Sequence, residues 1–123
     1  MTLKINGIIK GGKNNICITR TGHRFPKPAW AAWRDAQVLS IKSQLPRGFT
    51  TIAAPVNMSL YYTAGDKRRR DMPAVLDAIF HVLEKAGVVQ DDTLIWVVMS
   101  WRGYDKRAPG AIITWEDSPQ TSA

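Results

Sequence analysis

Between Val56 and Met99 the hydrophobic period of the chain changes twice, and this restricts the fold more than any other feature of the sequence. Val56, Met58, Leu60 and Tyr62 alternate with Asn57, Ser59 and Tyr61, the period-two pattern of a half-buried strand. Met72, Leu76, Ile79, Phe80 and Leu83 then share one stripe, with Asp77, His81, Glu84 and Lys85 on the other side, as on a helix with one buried face. Pro73 stands where such a helix can begin and Gly87 where it can be capped. Leu94 to Met99 is apolar and continuous, which predicts a strand buried on both faces. A strand, a helix and a strand in succession call for a helix layer packed on a sheet.

The flanking segments extend this layer. Leu3 and Ile5 alternate with Lys4 and Asn6, and a turn from Gly11 to Asn15 leads to a short β-branched run, Ile16 to Thr19. Thr21-Gly22-His23-Arg24 reads as a loop tip. Pro28 opens a helix whose Trp30, Trp33, Val38, Ile41 and Leu45 lie on one side, and Pro46 and Gly48 end it. Ala111 to Trp115 reads as a last strand. The expected fold is a single α/β (α+β) domain over residues 1–117, with order ββαβαββ: a mixed sheet and two main helices. Residues 118–123 form a polar tail.

A chain of 123 residues with 45% apolar side chains can bury one real core. Its lone cysteine, Cys17, excludes an internal disulfide and a Cys-rich zinc site, and two histidines are too few for a His-based metal cage. No apolar run approaches the roughly 20 residues of a membrane span, and MTLKING lacks the apolar core of a signal peptide. These features predict a cytoplasmic protein with no membrane partner. Seventeen Lys and Arg against ten Asp and Glu give a net charge of +7, and a small domain this basic ordinarily meets a polyanion, most often nucleic acid.

Chemistry concentrates in KRRRDMPAVLDAIFHVLEKAGVVQDD, residues 67–92. A cationic run ends on an acid, a helix follows, and two adjacent acids precede a strand. Carboxylate oxygens are hard ligands for Mg²⁺ or Mn²⁺, and arginines beside them suit a phosphodiester substrate. Spacing alone also fits solvated surface pairs. Cys17, with no accompanying His or Asn pattern, reads as inert packing. Trp30 and Trp33 read as core or subunit interface.

The same stretch resembles the RusA-type Holliday junction resolvases, small basic endonucleases of phages and prophages. Arg68-Arg69-Arg70-Asp71, Lys85-Ala86-Gly87 and Asp91-Asp92 match that family's signature without a gap. The resemblance implies a homodimer that cuts four-way and other branched DNA in recombination and repair, using Mg²⁺ or Mn²⁺. It implies Asp71 and Asp92 as metal-binding catalytic acids; beyond the resemblance, Asp77 or Asp91 is expected to help them. It also implies DNA contact by Lys67, Arg68, Arg69 and Arg70; Lys10, Lys13, Arg20 and Arg24 are candidates for more distant backbone contacts. Pro73 stands where the family has a second acid, and Asp77 where it has a catalytic lysine. Positions 73 and 77 share a helix face, so Asp77 is expected to compensate for the lost carboxylate. The rival expectation is a non-catalytic, structure-selective DNA-binding protein on the same fold.

Overall fold

The computed structural model describes residues 1–11, 16–68 and 70–116. Its elements are β1 (Thr2–Asn6), β2 (Ile16–Ile18), β3 (Arg24–Pro26), α1 (Pro28–Gln44), β4 (Val56–Ala64), α2 (Met72–Lys85), a 3₁₀ turn η1 (Asp92–Leu94), β5 (Ile95–Tyr104) and β6 (Gly110–Thr114). The mixed α+β architecture is the expected one. It carries one more strand than the sequence pattern predicts: the tip lies at Thr19–His23, where Gly22 N–H donates to the Thr19 carbonyl and Thr19 N–H to that of His23. Arg24 therefore opens β3, which pairs with β2. The Gly11 to Asn15 turn and the polar tail fall largely outside the described residues.

The main sheet has the order β1-β6-β4-β5. β6 runs antiparallel to both β1 and β4, whereas β4 and β5 are parallel. Parallel neighbours need a crossover, and α2 supplies it. Among the described residues, helices cover one face only. On that face lie Leu3, Ile5, Val56, Met58, Leu60, Tyr62, Ala111 and Ile113 of the sheet, which form one core with Ile41 of α1 and Val75, Ile79, Val82 and Leu83 of α2. Alternation in β4 follows directly, since its even-numbered residues face the helices.

β5 departs from expectation. It is the edge strand of this sheet, and Trp96 and Val98 are 67% and 71% exposed. Ile95, Val97 and Met99 pack against the core from the other face. The apolar run from Leu94 to Met99 thus marks a strand with one covered and one open face, not a strand buried on both.

The β1–β6 join depends on a close backbone approach. Gly110 has φ +144°, and a Cβ there would lie 2.1 Å from the Ile5 carbonyl oxygen. Gly110→Ala is expected to cost about 3 kcal/mol or more, because both backbone strain and a backbone clash must be relieved. Thermal denaturation followed by circular dichroism should show a fall in Tm on the order of 10 °C.

Candidate active site

The site is built at the C-terminal end of α2. Val88 N–H donates to the Leu83 carbonyl and Gly87 N–H to that of Glu84, the paired bonds of a Schellman turn, with Gly87 in the left-handed conformation at φ +80°. The turn sends the chain back through the buried Val88 and Val89 toward the helix it has just left. Asp91 then caps η1, its carboxylate accepting from Thr93 N–H at 2.9 Å. Asp92 N–H donates to Glu84 Oε1 at 3.2 Å. Oxygens of Glu84, Asp91 and Asp92 come to lie within 4.8 Å of one another.

Three carboxylates this close repel. Burial raises the Asp92 carboxyl above its ordinary value, and the neighbouring charges of Glu84, Asp91 and Asp77 push it the same way. Asp91 shifts down instead, because Thr93 N–H holds its charged form. Ionised Asp92 therefore costs the fold stability at neutral pH, and the cost fades as pH falls and the group protonates. A divalent cation would remove it without protonation. Oxygen donors of this hardness and spacing fit such an ion.

Asp77, His81 and Glu84 follow one another at intervals of four and three along α2, so they share the face that looks toward Asp92. His81 stacks at 5.7 Å from Trp30. Its Nε2 is buried and has no hydrogen-bond partner among the described residues. Burial holds the imidazole below its ordinary value, helped by the positive charges of Arg34 and Lys85. Trp30 is fixed in turn: its indole N–H donates to the Lys10 carbonyl, and Trp33 donates to that of Ile8. Arg34 lies 5.6 Å over the Trp30 ring. Trp33 packs against Trp30, with ring centres 6.1 Å apart.

Asp71 lies elsewhere. It is the N-cap of α2, accepting from Ala74 N–H at 3.4 Å. It lies thirteen positions before Glu84, about 20 Å along the helix axis. The structure therefore brings Asp91 and Asp92 together with Glu84, sets Asp77 on the same helix face, and leaves Asp71 at the other end.

The basic residues divide in a similar way. Arg68 and Lys67 are exposed beside the N-terminus of α2. Arg70 is tied down, donating to Asp66 Oδ1 at 2.6 Å and to the carbonyls of Asp66 and Arg68. Lys10, Arg20 and Arg24 are exposed on the segments before α1, while Arg69 and Lys13 fall outside the described residues. The Arg68 N–H and the Arg70 guanidinium hold the Asp66 carboxyl below its ordinary 3.8. A depressed acid contributes stability above its unfolded value, and that contribution is lost as pH falls through the folded value. Asp66→Asn should therefore lower Tm at neutral pH and match the parent in strong acid, as melting curves across that range would show.

The chain is 27% identical over 100 residues to the crossover junction endodeoxyribonuclease RusA of Aquifex aeolicus (strain VF5). The alignment takes in 81% of this chain and 78% of that protein. No family model matches the chain. Among the described residues no helix is long and apolar enough to cross a membrane.

Two residues of the carboxylate face carried no role in the sequence pattern. Glu84 was visible only as part of the polar side of a helix. His81 was visible as its neighbour at i−3, but neither spacing nor charge tells that η1 folds back over both.

Proposed function

We propose that the chain is a RusA-type, metal-dependent endodeoxyribonuclease that resolves four-way and other branched DNA as a homodimer. The observation that carries this reading is the Glu84, Asp91 and Asp92 cluster on a chain with a net charge of +7. Glu84, Asp91 and Asp92 would hold Mg²⁺ or Mn²⁺, with Asp77 beside them. Such an ion supplies water activation and offsets charge on the phosphate. Lys67, Arg68 and Arg69 contact phosphates, and Lys10, Lys13, Arg20 and Arg24 reach the backbone farther out. Arg70 acts differently, as the clamp that shapes the loop before α2.

A homodimer suits a substrate with paired scissile strands, since a two-fold axis presents two sites. The exposed Trp96 and Val98 on edge strand β5 support a second copy there. Asp71 keeps its proposed catalytic role through the family resemblance. In this reading Asp71, about 20 Å from Glu84 along α2, would act with the Asp91–Asp92 pair of a second copy.

The test is cleavage of a labelled four-way junction with and without Mg²⁺ or Mn²⁺, run beside sedimentation to measure mass. Paired nicks that need the metal, from a particle of twice the chain mass, are the expected result. Tight junction binding with no cleavage in either metal would favour the non-catalytic reading.

A further inference from the structure

A second group of aromatic and cationic residues lies at the far end of the sheet. Tyr62 of β4 pairs with Trp101 of β5, but the next aligned pair is Ala64 with Tyr104. β5 therefore carries one extra residue, a bulge at Arg102 and Gly103, and Gly103 takes φ +84°. In an unbroken strand Trp101 and Tyr104 would point to opposite faces. The bulge returns Tyr104 to the side of Trp101, the side that Tyr62 and Ala64 share.

Both rings remain available. Trp101 is 56% exposed and Tyr104 51% exposed. Trp101 leans on the buried Tyr62 at 5.7 Å, the two rings tilted by 48°, and more than half of its surface stays open. The Lys67 ammonium sits 4.9 Å from the Tyr104 ring centre. Arg102 lies over Tyr61 at 4.7 Å, and Lys106 and Arg107 follow Asp105 in the exposed β5–β6 turn. The acids nearby are engaged: Asp66 with Arg70, and Asp105 with the Arg107 N–H.

We propose that Trp101 and Tyr104, with Lys67 and the cations of the β5–β6 turn, form a stacking platform for unpaired bases of a DNA strand. The occupant follows from the chemistry. Duplex arms need cations on phosphates and no exposed rings. Exposed rings interleaved with cations suit bases whose faces are free. Trp101 lies six residues along β5 from Ile95, which is next to η1, about 20 Å of strand. The platform is therefore separate from the carboxylate cluster. It rests on the reading of the chain as a DNA-binding protein.

The test uses a labelled oligothymidylate, a duplex and a four-way junction, with anisotropy as readout. Trp101→Leu and Tyr104→Leu should each weaken oligothymidylate binding by about tenfold, within the range for loss of one stacked base. Duplex affinity should not move, nor should the salt slope for oligothymidylate. Phe at either position should restore binding. Lys67→Gln should instead reduce the salt slope by about one unit. Gly103→Val, which disfavours the bulge, should lose the share of Tyr104. Circular dichroism checks that each variant is folded, and Tyr104→Leu carries the test should Trp101→Leu fail that check. Unchanged oligothymidylate affinity in folded leucine variants would overturn the platform. So would a parent protein that binds duplex and junction but not oligothymidylate. A parent that binds no DNA would overturn the platform and the proposed function together. Stacking-dependent binding without junction cleavage would uphold the platform and remove only the nuclease.

Discussion

Asp92→Asn is expected to stop junction cleavage while leaving junction binding equal to the parent's or tighter. Asparagine keeps the shape of the side chain and removes one of three negative charges gathered within 4.8 Å. The loss in rate should be on the order of 10²–10³-fold, the scale for removing one charge-stabilising group from a reaction centre. Binding should not suffer, because a carboxylate facing a phosphate backbone is repulsive. Two further readouts separate this from simple damage. The Asp92 carboxyl is pushed up by burial, Glu84 and Asp91, so the asparagine variant should melt slightly higher than the parent at neutral pH without metal. The difference should shrink as pH falls and the parent's Asp92 protonates. The parent should also gain Tm in Mn²⁺, on the order of 10 °C at about a hundred times the dissociation constant, and the variant should gain much less. A parent that shows no metal-dependent shift, with Asp92→Asn cutting at the parental rate, would remove this cluster from the mechanism.

Legibility in the sequence followed periodicity closely. β4 and α2 could be read because each has one buried face and one exposed face, so the sequence repeats with the period of the element. β5 could not be read fully. Its exposed positions are filled by Trp96 and Val98, and an apolar residue on an open face looks the same in sequence as one in the core. β3 is three residues long and entirely exposed, too short for any pattern. The site behaved differently. Asp91 and Asp92 stood out as an adjacent pair, but Glu84 joins them only through the Schellman turn at Gly87 and the backbone bond from Asp92. Trp101 and Tyr104 share a face only because of a bulge. Such contacts depend on tertiary return of the chain, which residue spacing does not encode. Arg70 gives the converse case. It reads as one of three equivalent arginines, and the structure spends its donors inside the loop.

Asp77→Ala is expected to lower junction cleavage about 10–100-fold, the scale for a group that supports a metal centre from outside its ligands, with little change in DNA binding. Asp77 lies one helical turn before His81 and two before Glu84 on the same face of α2. Its charge reaches Asp92. It is exposed, so its removal leaves no cavity and should not unfold the helix. Raised Mn²⁺ should partly rescue the variant if Asp77 contributes charge to the ion's surroundings. Asp77→Lys with Pro73→Asp sets up the opposite arrangement, the one that the RusA-type resemblance implies. A cation at position 77 would hold Asp92 ionised rather than oppose it, while the acid at 73 adds a carboxylate beside Asp71 at the N-terminus of α2, so the double variant should keep or raise activity. Asp71→Asn is the informative partner, since asparagine caps a helix about as well as aspartate and any loss cannot be charged to unfolding. Inactive Asp71→Asn and Asp92→Asn proteins that regain cleavage when refolded together would mean that the two acids act across subunits. If Asp77→Ala cuts junctions as well as the parent, the carboxylate at 77 does not stand in for the one that Pro73 displaces. If only the double variant cuts, the natural chain binds junctions and has lost the chemistry.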